Sequence, residues 1–208
     1  MSQVLPLLVA IERRGAVPLV RLASNDPVQC KAVLDSGAAG VIVPMVNSKA
    51  EAELAVRSVK YPPAGMRGAA VARAHDYGPG FADYMRSAND ETLVIVQIEH
   101  VDAVSRIDEI LSVPGIDGTF IGPYDLSASM GLPGQLTHPD VEAAKRRVLD
   151  AALARGLAAG IHATDPVTAA ADLERSVVAG YRFIALSSDM LLLGHAARSL
   201  VRQNPAGE

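Results

Sequence analysis

Apolar positions along this chain fall into two alternating rhythms. Short continuous runs rich in Val, Ile and Leu recur near residues 17–22, 40–45, 93–98, 118–122, 157–162 and 183–187, the pattern of strands buried on both faces. Between them the spacing becomes helical. Val101, Val104, Ile107, Ile110 and Leu111 mark one buried face, closed by Pro114 and Gly115. Gln3 to Arg14 reads as an amphipathic helix ended by Gly15, with Pro6 in its first turn. Ser24-Asn25-Asp26-Pro27 starts a helix that Gly37 stops, and Ser48 caps another over Lys49 to Val59. Further helices are expected over Asp140 to Arg155, Asp165 to Ala179 and Met190 to Arg202, followed by a short polar tail. Tyr61-Pro62-Pro63-Ala64-Gly65-Met66-Arg67-Gly68 interrupts the alternation, and irregular sequence runs on to about Asn89. An excursion of that length inside a compact domain is expected to be functional.

Strict alternation implies an α/β fold with parallel strands joined by right-handed crossovers. A closed barrel of this kind takes eight strands, and six are read here. The stretch from Leu93 to Ser127 carries the chemistry. Its two strands end in Glu99 and in Gly122-Pro123-Tyr124-Asp125, so two carboxylates stand at the C-terminal end of a parallel sheet, where such sheets place their sites. Two carboxylates and water form an all-oxygen site suited to a divalent ion such as Mg²⁺, Mn²⁺ or Co²⁺, open to chelation by a 2-oxo acid. Gly122 permits close approach of the backbone, and the amides after Pro123 suit an anion. The competing reading makes Glu99 and Asp125 ordinary caps of the helices that follow.

Composition narrows the class. The 208 residues suffice for one domain, 1–208, with a large core. A formal charge of −4 gives no reason to expect nucleic acid. The lone Cys30 is expected to be a buried thiol in a reducing compartment. The apolar run Val4 to Ile11 is too short to span a membrane and lacks signal-peptide flanks, so a cytoplasmic protein is expected.

Several motifs resemble the HpcH/HpaI aldolases: Val20-Arg21 followed by Asn25-Asp26-Pro27, Val43-Pro44-Met45-Val46, the Tyr61 to Gly68 segment, Val96-Gln97-Ile98-Glu99, and Phe120-Ile121-Gly122-Pro123-Tyr124-Asp125-Leu126-Ser127. They keep order and spacing from the first helix to the last. The resemblance implies a metal-dependent (class II) pyruvate aldolase on a TIM-barrel-like fold, about six of whose eight parallel strands lie in this chain. Carried over, Glu99 and Asp125 are the metal ligands, with Mg²⁺, Mn²⁺ or Co²⁺ as cofactor. Arg21 steadies the enolate and the aldehyde oxygen. Gln97 lies by the pyruvate, and Gly122, Pro123 and the amides of Tyr124 and Asp125 clamp its carboxylate. Asp35 matches an aspartate that supports the family's catalytic histidine. His162 falls where the family has an apolar residue near the aldehyde. Arg67 is read as the organiser of its own loop.

The resemblance places the catalytic histidine in a segment before the first residue of this chain, and none of its five histidines sits in such a motif. His162, at a strand end, is the one candidate for a substitute. Two functions follow as expectations. The first is cleavage or formation of 4-hydroxy-2-oxo acids through a metal-bound pyruvate enolate, with 2-oxo acid and aldehyde as partners and weakened by loss of the histidine. The second is an impaired metal- and oxo-acid-binding remnant, or a half-barrel that needs a partner chain. A homo-oligomer is expected in either case.

Overall fold

The computed structural model describes residues 3–203; the polar tail expected after the last helix lies outside the described residues. In chain order the elements are α1 (Val4–Glu12), β1 (Leu19–Arg21), α2 (Pro27–Asp35), β2 (Gly40–Val43), α3 (Lys49–Val59), a 3₁₀ turn (Arg73–His75), α4 (Phe81–Glu91), β3 (Leu93–Ile98), α5 (Val101–Ser105), α6 (Ile107–Ile110), β4 (Gly118–Ile121), α7 (Pro123–Ser129), α8 (Pro139–Leu153), β5 (Ala158–Ala163), α9 (Ala169–Ala179), β6 (Phe183–Leu186) and α10 (Asp189–Gln203). All six strands are parallel and paired in sequence order, which leaves β1 and β6 as the edges of a curled sheet. No helix among the described residues is long and apolar enough to cross a membrane.

Residues alternate between two cores, as the two-residue period of a strand requires. Val41, Val43, Val94, Val96, Ile98, Ile121 and Ala159 face outward and pack under helices that offer Cys30, Leu34, Ala52, Ala55, Ile107, Leu126 and Leu149. The alanines let α3 lie close on the sheet. Leu19, Ile42, Ile95, Phe120, Phe183 and Ala185 face the concave side and form a second cluster. There Gly160 lacks a side chain for a spatial reason: a Cβ would sit 2.7 Å from the Phe183 ring.

Three expectations need correction. The segment 101–111 is not one helix, because the Ser105 hydroxyl donates to the Asp102 carbonyl at 2.7 Å and the chain departs from helical geometry at Arg106. The segment 61–92 is not irregular throughout, since it contains α4. It also lies at the N-terminal end of the strands, away from Glu99, and acts as a brace. Lys60 donates to the carbonyls of Asn89 (2.6 Å) and Thr92 (2.7 Å), tying the end of α3 to the start of β3. Buried Arg67 donates to Tyr84 Oη (3.1 Å) and to Asp35 (2.9 Å) and lies over the Tyr61 ring, which supports its reading as a loop organiser. The far end of the chain is covered less well. α9 contributes no buried residue, and a cavity of about 520 Å³ lies between α8, β5 and α9.

Candidate active site

Side chains at positions 97 and 99 point the same way from one strand, into the concave side. Glu99, buried where β3 ends, accepts a hydrogen bond at Oε1 from the Met45 amide (2.8 Å) and at Oε2 from Gln97 Nε2. Met45 follows β2 with φ of 53°, a left-handed conformation uncommon for a residue with a side chain, and that turn aims its amide at the carboxylate. Burial raises the Glu99 pKa above the ordinary carboxylate value; the Met45 amide opposes this, Asp125 adds to it, and Gln97 and Arg21 oppose it. Glu99 thus stands in the electrostatic field of both Asp125 and Arg21, which come from the first turn of α7 and from the end of β1.

Gly122 closes the arrangement. It ends β4 beside Glu99, and a Cβ there would lie 2.9 Å from Glu99 Oε2 and 3.0 Å from Gln97 Nε2. Pro123 then starts α7 with its φ already suited to the first turn, and exposed Tyr124 and Asp125 follow in that turn. Their amides have no partner within the helix.

The strand register sets the height of each inward side chain. Arg21 pairs with Ile42 and Ile42 with Ile95, while Gln97 pairs with Phe120, Phe120 with Gly160 and Gly160 with Phe183. In a tilted barrel sheet one level climbs about one residue per strand, so alternate strands supply each layer. Two strands from Arg21 the level residue is Gln97, and two strands further it is His162. Arg21, Gln97 and His162 therefore share one layer beneath the carboxylates. The His162 ring lies 6.0 Å from that of Phe120.

Of the residues singled out in sequence, Arg21, Gln97, Glu99, Gly122, Pro123, Tyr124, Asp125 and His162 come together at the C-terminal end of the sheet. Asp35 does not. It ends α2 at the opposite end of the strands, where it is ion-paired with Arg67 and Lys31. In this chain it has no path to the carboxylates, because an αβ connection returns to the bottom of the sheet. The other histidines are elsewhere: His75 sits among Phe81 and Tyr84, His100 and His138 cap α5 and α8, and His195 lies on α10. The Met45 amide escaped sequence reading, since a backbone donor leaves no residue-type signal beyond the Val-Pro-Met-Val motif.

The residues fit a hard divalent cation. The donors are oxygens, a Cβ-free space adjoins Glu99, and Gln97 Oε1 is buried without a partner. No cluster of three or more His, Cys, Asp or Glu that could hold a metal is present among the described residues.

Comparison with known proteins gives one consistent picture. The sequence profile of the HpcH/HpaI aldolase/citrate lyase family matches residues 1–196. The 5-keto-4-deoxy-D-glucarate aldolase of Escherichia coli (strain K12) is 40% identical over 200 residues, 96% of this chain and 76% of that one. The 4-hydroxy-2-oxo-heptane-1,7-dioate aldolase of Shigella flexneri is 43% identical over 199 residues, 95% of this chain and 73% of the relative. The crystal structure of an HpcH/HpaI aldolase/citrate lyase family protein from Burkholderia cenocepacia J2315 superposes with a TM-score of 0.89 at 37% identity, covering 96% of this chain and 79% of the other.

Proposed function

This chain belongs to the HpcH/HpaI aldolase/citrate lyase family, and from that premise we propose that it is a metal-dependent aldolase of 4-hydroxy-2-oxo acids, yielding pyruvate and an aldehyde. What supports the reading is that Glu99 and Asp125 follow the adjacent strands β3 and β4 and that Arg21 ends β1, at the same C-terminal end of one parallel sheet. Glu99 and Asp125 would hold the ion, and Gln97 and the Met45 amide fix Glu99 in one orientation. When bound, a divalent ion supplies a Lewis acid for the keto oxygen of the 2-oxo acid.

The chain's own groups do the remainder. The amides of Tyr124 and Asp125 receive the substrate carboxylate, and Pro123 and Gly122 shape the approach. Arg21, an exposed guanidinium near the mouth, faces the oxygen that becomes alkoxide when the carbon–carbon bond is made or broken. His162 forms part of the wall beside the reacting carbon. The chain contributes one domain of this kind, six of whose strands are described, and works in the cytoplasm.

The test is pyruvate release from a racemic 4-hydroxy-2-oxo acid with Mg²⁺ or Mn²⁺ present and after chelation. Activity should vanish on chelation. Glu99→Gln and Asp125→Asn should each lower it by on the order of 10²–10³-fold while the circular dichroism spectrum stays unchanged. Full activity in both variants sinks the assignment.

A further inference from the structure

Helices α2, α3 and α8 are seated by buried side chains, three, five and six of them. α9 has none. It stands instead between two cavities. One, of about 520 Å³, separates it from α8, and the other, of about 480 Å³, lies between residues 164–167 and α10. Polar groups do not tie it to a neighbour either. Among the described residues, every hydrogen bond and ion pair of residues 165–179 closes within residues 165–181, as Asp172 does with Thr168 and with Arg175. α8, by contrast, is bound to α6 through Arg147 and Asp108. The two ends of the α9 segment are fixed. Ser187 donates from its amide to the Ala163 carbonyl (2.7 Å) and from its hydroxyl to the Thr164 carbonyl (2.9 Å), which pins the end of β5. Beyond the helix Gly180 turns the chain in a left-handed conformation (φ 114°), Tyr181 is buried, and the Arg182 amide donates to the Ala159 carbonyl (2.8 Å). A stiff helix between two fixed points, with space on both flanks, has one soft motion, a swing about the line that joins them.

That swing acts on the site. The cleft between α8 and α9 reaches Pro123 and His162 at one end, so it runs into the wall of the mouth. Its sides are charged: Glu142 and Lys145 come from α8, Asp172 and Arg175 from α9. Each pair is joined within its own helix. Once the helices draw together, Lys145 can pair with Asp172 and Arg175 with Glu142, so that closure leaves no charge unmatched. Open and closed positions then differ by an exchange of surface ion pairs, which is worth little, and a bound ligand can tip the balance. We infer that α9 and residues 164–168 form a lid, hinged after Thr164 and at Gly180, that swings onto α8 when a 2-oxo acid occupies the site and closes the mouth against water. The inference rests on the reading of the site as an aldolase centre and goes beyond it in giving that site a moving wall.

The chain's one cysteine, Cys30, is completely buried, so a cysteine placed in the cleft is the reactive thiol of the folded protein. Ser176 lines the cleft, and exposed Glu174 lies on the opposite face of α9 by helical spacing. The full-length variants Ser176→Cys and Glu174→Cys are treated with a maleimide in Mn²⁺ alone and in Mn²⁺ with saturating pyruvate, whose binding is followed by calorimetry. Pyruvate should slow modification of Ser176→Cys by about tenfold and leave Glu174→Cys within about twofold, the mark of a population moved from open to closed. Coupling is reciprocal, so Ser176→Trp, which wedges the cleft open, should weaken pyruvate binding by about the same factor while Mn²⁺ affinity stays close to wild type. Equal rates for Ser176→Cys with and without bound pyruvate, equal slowing of the two cysteines, or unchanged pyruvate affinity in Ser176→Trp overturns the lid and leaves the aldolase reading standing. Pyruvate that does not bind the Mn²⁺-loaded wild type overturns both.

Discussion

At the scale of single residues, Gly122 is the tightest constraint on the site. A methyl group there would come within 2.9 Å of Glu99 Oε2, and Glu99 cannot retreat because the Met45 amide and Gln97 hold it. Gly122→Ala should therefore leave the fold cooperative, cost about 1–3 kcal/mol from local overpacking, and weaken Mn²⁺ binding by at least tenfold in titration calorimetry. Unchanged metal affinity would show that Glu99 is not a ligand. Cys30 offers an independent test of the core. Buried completely, its thiol is pushed up from 9.0 to about 11, chiefly by loss of hydration. The folded state thus holds this proton more tightly than the unfolded chain does. The corresponding stability is fully present below pH 9 and is lost as pH rises through about 11, amounting to roughly 2–3 kcal/mol. Urea melts of Cys30→Ala between pH 8 and 11 should show a shallower decline than the wild type. Parallel declines would mean that the thiol is not the group being titrated.

At the scale of elements, what the sequence disclosed depended on how local the cause was. The Leu93–Ile98 strand and the Lys49–Val59 helix were legible to the residue, because a continuous β-branched run and a Ser48 cap are local signals. The other strands came within two residues at each end. α4 was not legible: Phe81, Tyr84, Met85 and Ala88 do keep helical spacing, but Gly78-Pro79-Gly80 before them and the polar residues between them outweighed it. The carboxylate pair could be read because both acids end predictable strands. The position of Asp35 could not, since a sequence match says nothing about which end of the sheet a helix terminus reaches. What tethers Asp35 also tests the brace. Arg67 is almost fully buried, bonded to Asp35 and Tyr84, and stacked on Tyr61. Arg67→Ala leaves those partners unmatched and should lower stability by about 3–5 kcal/mol, read as a drop in Tm, while the metal affinity of the distant site stays close to wild type. A marginal stability change would show that the 61–92 segment is an ornament of the fold and not its brace.

At the scale of the whole molecule, the unsolved problem is apolar surface. Among the described residues β1 and β6 are open edges, each with backbone groups that no strand pairs. After β6, α10 carries a stripe at helical spacing, Met190, Leu193, Ala197 and Leu200, with Met190 78% and Leu193 73% exposed. α9 adds Val177 and Val178, and α1 adds Leu7. Scattered apolar residues on a surface need no explanation, but a continuous exposed stripe along one helix does. We propose that a second copy of the chain covers it, with α10 and one open edge in the interface, in a closed homo-oligomer. Multi-angle light scattering over a hundredfold range of concentration should give a mass above 21.7 kDa that falls on dilution. Leu193→Glu combined with Leu200→Glu places two charges in the stripe and should shift the population to monomer, with the far-ultraviolet spectrum retained. A wild type that stays monomeric and soluble across the whole range refutes the proposal. It would mean that the two edges are protected by the curl of the sheet and by α1 and α10 of the same chain.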